Sequence, residues 1–136
     1  MTPWEILTQI KATLTELPGV ASCAIGIEAN ITPSDYPLVR IVPTRLTPYD
    51  DVGDRALLAV TVYFGAALLE ASDGLEAVYE ELLALEAAIR EAVLFTAQRE
   101  AWQTGTRMTA RFIDTVTDED RLPHYKMLAS RFEVEG

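Results

Sequence analysis

The sequence predicts a single α+β domain in which a mostly antiparallel sheet is packed by two helices, in the order α-β-β-β-α-β-β. Its 136 residues, 49% of them hydrophobic, suffice for one buried core. Apolar residues recur at spacings of three and four in two segments and alternate in five others, which are the periods of helices and strands. We therefore assign residues 1–136 to one domain.

The first helix is predicted from a capped start and an apolar stripe. Thr2, Pro3 and Glu5 are typical of a helix N-terminus, where Glu5 can reach back to complete a capping box. Pro18 and Gly19 end the helix. The stripe that faces the core consists of Leu7, Ile10, Leu14 and Leu17.

Three strands are predicted next and, because they follow one another, a meander. The first covers residues 20–29, where small and apolar residues alternate. The second is DYPLVRIVPTR, residues 35–45, and the third is RALLAVTVYF, residues 55–64. The segments NITPSDYP and LTPYDDVGD, rich in Pro, Gly and Asp, form the turns between them.

The second helix is predicted from an apolar stripe flanked by glutamates, with Asp73 and Glu76 at its cap. About twenty residues would make it about 30 Å long, and AVLFTAQREAW either continues it or forms another short helix before Gly105. We favour packing on the chain's own sheet over a coiled coil. The stripe consists of Leu75, Val78, Leu82, Leu85 and Ile89.

Two strands close the chain, RMTARFIDTV at residues 107–116 and HYKMLASRFEVE at residues 124–135. Each alternates between an apolar and a wetter face. The acidic turn TDEDRLP joins them.

The second strand is unusual because Pro37 and Pro43 remove backbone donors from the same edge. Such a strand lies at the edge of a sheet or has a short neighbour. Arg40 lies in an otherwise apolar row and therefore requires an acidic partner. That partner belongs either to the same chain or to a neighbouring subunit.

The charge and the single cysteine exclude several classes of protein. A net charge of -10 and a pI near 4.4 argue against binding nucleic acid through its phosphates. Cys23 has no second cysteine for an intrachain disulfide or a Cys-based metal site. The start, MTPWEI, is unlike a secretion signal. The longest uncharged apolar run, residues 56–69, is too short for a membrane helix.

Candidate chemical groups are few, and we expect no enzyme, cofactor or metal. The densest acidic group consists of Asp114, Asp118, Glu119 and Asp120. It lacks the spacing of a calcium loop, and we interpret it as a solvated turn. His124 has no nucleophile motif near it in sequence. The glutamates of the second helix, Glu80, Glu81 and Glu86, are better explained as a solvated face than as acid–base catalysts.

The chain resembles the tail terminator (tail completion) proteins of long-tailed bacteriophages. The likeness covers nearly the whole chain: the capped first helix, the YPLVRIVPTR and RALLAVTVYF strands, the long helix from Gly74 and the final SRFEVEG strand. The resemblance implies a structural virion protein, made in the host cytoplasm, that closes into a ring, usually a hexamer. The ring would cap the tail tube at the tail–neck junction, end its polymerisation and meet the head connector or stopper protein.

Within that resemblance, roles for particular residues follow from the side-chain alternation. We place Arg40, Arg107, Arg111 and Arg131 at contacts between subunits. The loop from Pro48 to Asp54, with Tyr49, Asp50 and Asp51, is a candidate for the tube contact or the lumen. DNA would pass through the acidic pore without specific binding. The alternatives are another neck or head–tail joining protein, or a small acidic binding domain unrelated to virions.

Overall fold

A computed structural model describes residues 2–48, 56–68, 74–104, 108–117 and 124–135, and for residues 98–104 it describes the backbone alone. Within these residues the elements follow the predicted order. They are α1 (Pro3–Thr15), β1 (Ser22–Ile25), a 3-10 turn (Pro33–Asp35), β2 (Leu38–Pro48), β3 (Ala56–Ala67), α2 (Gly74–Thr104), β4 (Thr109–Thr117) and β5 (Tyr125–Glu135).

The described strands form one sheet in the order β1-β2-β3-β5-β4. All neighbours are antiparallel except β1 and β2, which run parallel. The predicted meander is therefore wrong at its first step. Residues 26–37, which we call the crossover loop, carry the chain back so that β2 starts beside the beginning of β1, an arrangement that a tight hairpin cannot produce.

Both helices pack on one face of the sheet, and the core lies between the two layers. The Thr2 hydroxyl accepts from the Glu5 amide at the start of α1, as its sequence predicts. The core combines Ile6, Leu7, Ile10 and Leu14 of α1 with Leu82, Ile89 and Val93 of α2 and with Val39, Ile41, Val60, Val62, Phe64, Leu128 and Phe132 of the sheet.

The helices are also joined by a buried polar contact. The Thr96 hydroxyl lies 2.8 Å from the Thr13 hydroxyl and 2.8 Å from the Ala92 carbonyl oxygen, so its polar groups are satisfied inside the core.

The second helix is longer than predicted. AVLFTAQREAW continues it, and α2 runs for 31 residues as a single helix, about 46 Å at 1.5 Å per residue. Asp73, the predicted cap, lies outside the described residues. Leu75 belongs to the predicted stripe, but it lies in the first turn of α2 and is 45% exposed.

The two prolines of β2 are explained by a short neighbour. β1 has four residues and pairs with β2 only from Leu38 to Ile41, between Pro37 and Pro43. The carbonyls of Pro37 and Ile41 accept from the β1 side. The missing donors thus fall just outside the paired stretch, and beyond Pro43 the described chain leaves that side of β2 unpaired.

Candidate functional site

Several predicted site residues meet on the sheet face opposite the helices, which we call the outer face. Register places Tyr63 beside Ala129 and Thr61 beside Arg131 on this face. Small side chains occupy its centre and charged side chains its far end. It consists of Arg45, Ala59, Thr61, Tyr63, Arg111, Asp114, Val116, Met127, Ala129, Arg131 and Glu133.

Two β-bulges bring extra charged groups to the outer face. The register of β2 shifts between Pro43 and Arg45, and that of β4 between Phe112 and Asp114. One extra residue reverses the alternation, so Arg45 and Asp114 point to the outer face instead of the core. The alternation pattern missed Arg45 for this reason. Pro43 inside a strand was the available signal, since prolines within strands mark edges and bulges.

Cross-strand ion pairs order this surface. Arg111 Nη2 lies 2.9 Å from Glu133 Oε1. Arg131 binds both oxygens of the Asp114 carboxylate: its Nε lies 2.6 Å from Oδ1, and its Nη2 donates to Oδ2. The hydrogen bonds from Arg131 hold the pKa of the Asp114 carboxyl below its usual range. Among the described residues Arg45 has no ion pair, so it is the free cation of this face.

The structure brings Arg111 and Arg131 together on the outer face, as the alternation predicts. Their contact with a neighbouring subunit stays a prediction. Arg107 lies outside the described residues, and so do Tyr49, Asp50, Asp51 and Asp54 of the predicted tube or lumen loop.

Arg40 lies in the same sheet face but is enclosed by its own chain, with 2% of its surface exposed. Its Nε lies 2.8 Å from Glu28 Oε2, and Nη2 bonds the other oxygen of that carboxylate. Its Nη1 donates to the Ser22 hydroxyl and the Val39 carbonyl oxygen. The acidic partner thus belongs to the same chain, and the bond holds the pKa of Glu28 below its usual range.

The crossover loop covers one end of the outer face. Tyr36 stacks on Tyr125 with ring centroids 5.2 Å apart, and burial raises the pKa of the Tyr36 hydroxyl. Leu38, beneath the loop, is 1% exposed although it lies opposite the helical layer. The end that remains open carries Arg45, Arg111 and Glu133, beside two shallow recesses of about 270 and 180 Å³.

A separate groove of about 500 Å³ lies between the end of α1 and the middle of α2. Its described lining offers one carboxylate among apolar side chains and no nucleophile. It is lined by Pro18, Gly19, Pro37, Ala66, Glu81, Leu82, Ala84, Leu85 and Ala88.

The remaining candidate groups do not converge. In the part of the chain that the structure describes, no three His, Cys, Asp or Glu side chains are placed to hold a metal. Asp118, Glu119 and Asp120 lie outside that part. His124 is exposed with its ring against Tyr125. Burial raises the pKa of the Cys23 thiol, which keeps it in its less reactive form.

Comparisons with known proteins gave no family: the chain matches no family model and no curated protein. Among the helices of the described residues, none has an apolar stretch that would cross a membrane.

Proposed function

We propose that this protein is a tail terminator subunit of a long-tailed bacteriophage, a structural virion protein that forms a ring on the end of the tail tube. The outer face is the observation that carries the proposal. No helix of the described residues packs on this side of the sheet, and the face mixes apolar side chains with exposed arginines, a composition that interfaces favour. Tyr63, Met127 and Val116, which is 51% exposed, supply the apolar part.

The element order supports the same role, because it follows the resemblance along nearly the whole chain. The charge is consistent with it as well. Six copies would multiply a net charge of -10 sixfold around one pore, and like charge keeps DNA from sticking to the wall. The ring would meet the tube protein on one side and the head connector or stopper on the other.

Arg40 contributes to this role from within the subunit. Its donors are occupied by Glu28, Ser22 and Val39, so it fastens the crossover loop to the sheet. Its predicted contact with a neighbouring subunit would require that these bonds open. Among the described arginines of the proposed interface, another chain can reach Arg45, Arg111 and Arg131.

A second candidate function rests on the groove between α1 and α2. An apolar cleft of about 500 Å³, whose described lining includes one carboxylate, suits an apolar segment with a cationic end. A small binding domain would use this groove and remain monomeric.

The test is incubation of the purified chain with tail tubes of the phage whose genome encodes it. We expect rings that cap one tube end, seen by negative-stain microscopy, and tube growth that stops at that end. Bare tube ends, together with a chain that stays monomeric and binds a peptide in the groove, would favour the small binding domain instead.

A further inference from the structure

The solvent side of α2 is acidic and has no neutralising partner within the described chain. Glu76, Glu80, Glu81 and Glu91 are exposed, and none forms an ion pair with another described residue. Carboxylates packed along one helix repel one another. Contact with a surface that carries cations would therefore be favourable for this helix.

The same side of α2 also exposes large apolar side chains. Leu83 is 56% and Phe95 57% exposed, and a helical wheel places both on the arc that carries Glu80 and Glu91. Exposed aromatic and aliphatic groups rimmed by charges are typical of protein contacts. We call this arc, with the four glutamates, the α2 ridge.

The outer face offers exposed cations to such a helix, beside Asp114, Glu133 and Glu135 of its own. Most exposed cations of the described chain lie there: Arg45 is free, and Arg111 and Arg131 are 72% and 52% exposed in their side chains. Their own ion pairs are solvent-exposed and weak, so they can be exchanged at little cost. Small side chains, those of Ala59, Thr61 and Ala129, lie at the centre of the face, where a helix would approach it.

From this complementarity we propose that the occupant of the outer face is a second copy of this chain, which lays its α2 ridge across the sheet. The inference rests on the proposed ring and specifies its contact. The dimensions agree: α2 has 31 residues and β5 has 11, which correspond to about 46 Å and about 36 Å. Since Leu83 and Phe95 lie about 18 Å apart along the helix, one of them would pack near Val116 and Met127, with glutamates meeting arginines at the rim.

This contact is head to tail, because it joins two different surfaces, the ridge of one copy and the outer face of the next. Each copy therefore uses one of each surface, and repetition gives a closed ring when the rotation between copies closes. A contact between two identical sheet faces would instead stop at a dimer.

Two variants test the contact. In the sheet variant, Arg45→Glu and Arg111→Glu reverse the outer face. In the helix variant, Glu76→Arg, Glu80→Arg and Glu91→Arg leave Glu81 as the acidic member of the ridge and so reverse its net charge. In a ring made of either variant alone, like charges face each other at every contact. We therefore expect the protein concentration at which half of the rings dissociate to rise about tenfold or more, equivalent to about 1.4 kcal/mol per contact. Native mass spectrometry measures the ring population.

The decisive sample is an equal mixture of the two variants. Every contact between unlike chains then joins opposite charges, so rings should return with the variants alternating, which requires an even number of copies. Thermal unfolding of each variant checks that the subunit is folded. Arg45→Glu alone is the milder sheet variant, because Arg45 has no ion pair in the described chain that the change would break.

The outcomes separate the two proposals. Rings of the helix variant that are as stable as the wild type would overturn the ridge contact and leave the proposed ring standing. A mixture that fails to recover rings would overturn it as well. A wild-type chain that stays monomeric, with and without tail tubes, would overturn both.

Discussion

At the scale of single residues, Arg40 shows what side-chain alternation can and cannot determine. The sequence places a guanidinium in an apolar row of a strand and so predicts an acidic partner. It does not identify Glu28, which lies 12 positions away in a loop without periodicity. The partner depends on the path of the crossover loop, and that path follows from the parallel pairing of β1 with β2.

We predict that Arg40→Ala lowers the free energy of unfolding by about 2–4 kcal/mol, because it removes buried hydrogen bonds and packing under the loop. Arg111→Ala is the matched control. Arg111 forms one ion pair, as Arg40 does, but the Arg111 pair joins two strands at the surface, so its loss in the monomeric chain should cost less than about 1 kcal/mol. Urea unfolding measures both, and equal losses would contradict the structural role of Arg40.

The Arg40 pair should also make the fold sensitive to acid. Arg40 lowers the pKa of Glu28 in the folded state, so its stabilising effect is complete above the unfolded value of about 4.3. It is lost as the pH falls through the folded value. We expect Glu28→Gln to be less stable at neutral pH and to lose less stability between pH 7 and pH 3, as followed by thermal unfolding. Some dependence of stability on pH should remain in this variant, because the pKa of Asp114 is lowered as well. A loss of stability between pH 7 and pH 3 equal to that of the wild type would refute the role of Glu28.

At the scale of elements, α2 was predicted well in its register and poorly in its length. The positions of Leu82 and Ile89 follow directly from the period of three and four, and both are buried. The end of the helix was ambiguous, because AVLFTAQREAW has neither a breaker nor a clear stripe. Similarly, residues 20–29 alternate, but only β1 pairs, since Gly26 leaves the strand with a positive φ of 86°.

The packing of α2 predicts a sharp contrast between two of its residues. Ile89→Ala should lower the free energy of unfolding by about 2–5 kcal/mol, because it opens a cavity in the core. Leu83→Ala, on the exposed ridge of the same helix, should change the stability of the monomer by less than about 0.5 kcal/mol. Both are measured under conditions where the chain is monomeric. Comparable losses would show that α2 packs through a different side.

The pairing of β3 with β5 depends on the lack of a side chain at Gly65. A Cβ atom there would lie 2.1 Å from the Met127 sulfur and 2.6 Å from the Lys126 carbonyl oxygen. We predict that Gly65→Ala costs about 1–3 kcal/mol. Met127→Ala added to it should recover only part of the loss, because the backbone contact with Lys126 remains. A Gly65→Ala protein as stable as the wild type would contradict this register.

At the scale of the whole molecule, periodicity in the sequence correctly predicted the fold class and the order of the elements. It did not predict the parallel pair, because the direction of β1 depends on where the crossover loop lies. Of the site, alternation placed Arg111 and Arg131 on a common face. Arg45 escaped it, because a bulge at Pro43 reverses the face on which Arg45 lies.

The helical layer and the outer face of the sheet expose different charged groups. Within the described residues, α2 exposes glutamates without ion-pair partners and the sheet exposes arginines, and we propose that these two surfaces contact each other in neighbouring copies. Such a subunit is suited to assembly in one direction around a ring. It also explains why an acidic chain retains exposed apolar groups such as Leu83 and Phe95 on its surface.

The most direct test of the ring is the mass of the purified chain in solution, measured by native mass spectrometry over a range of concentrations. Electron microscopy of the chain mixed with tail tubes then shows whether it binds a tube end. The account predicts a closed assembly of fixed copy number, near six times the chain mass of 15.0 kDa, that forms alone or on one end of the tube. A mass of one chain at every concentration, with both tube ends bare, would contradict it.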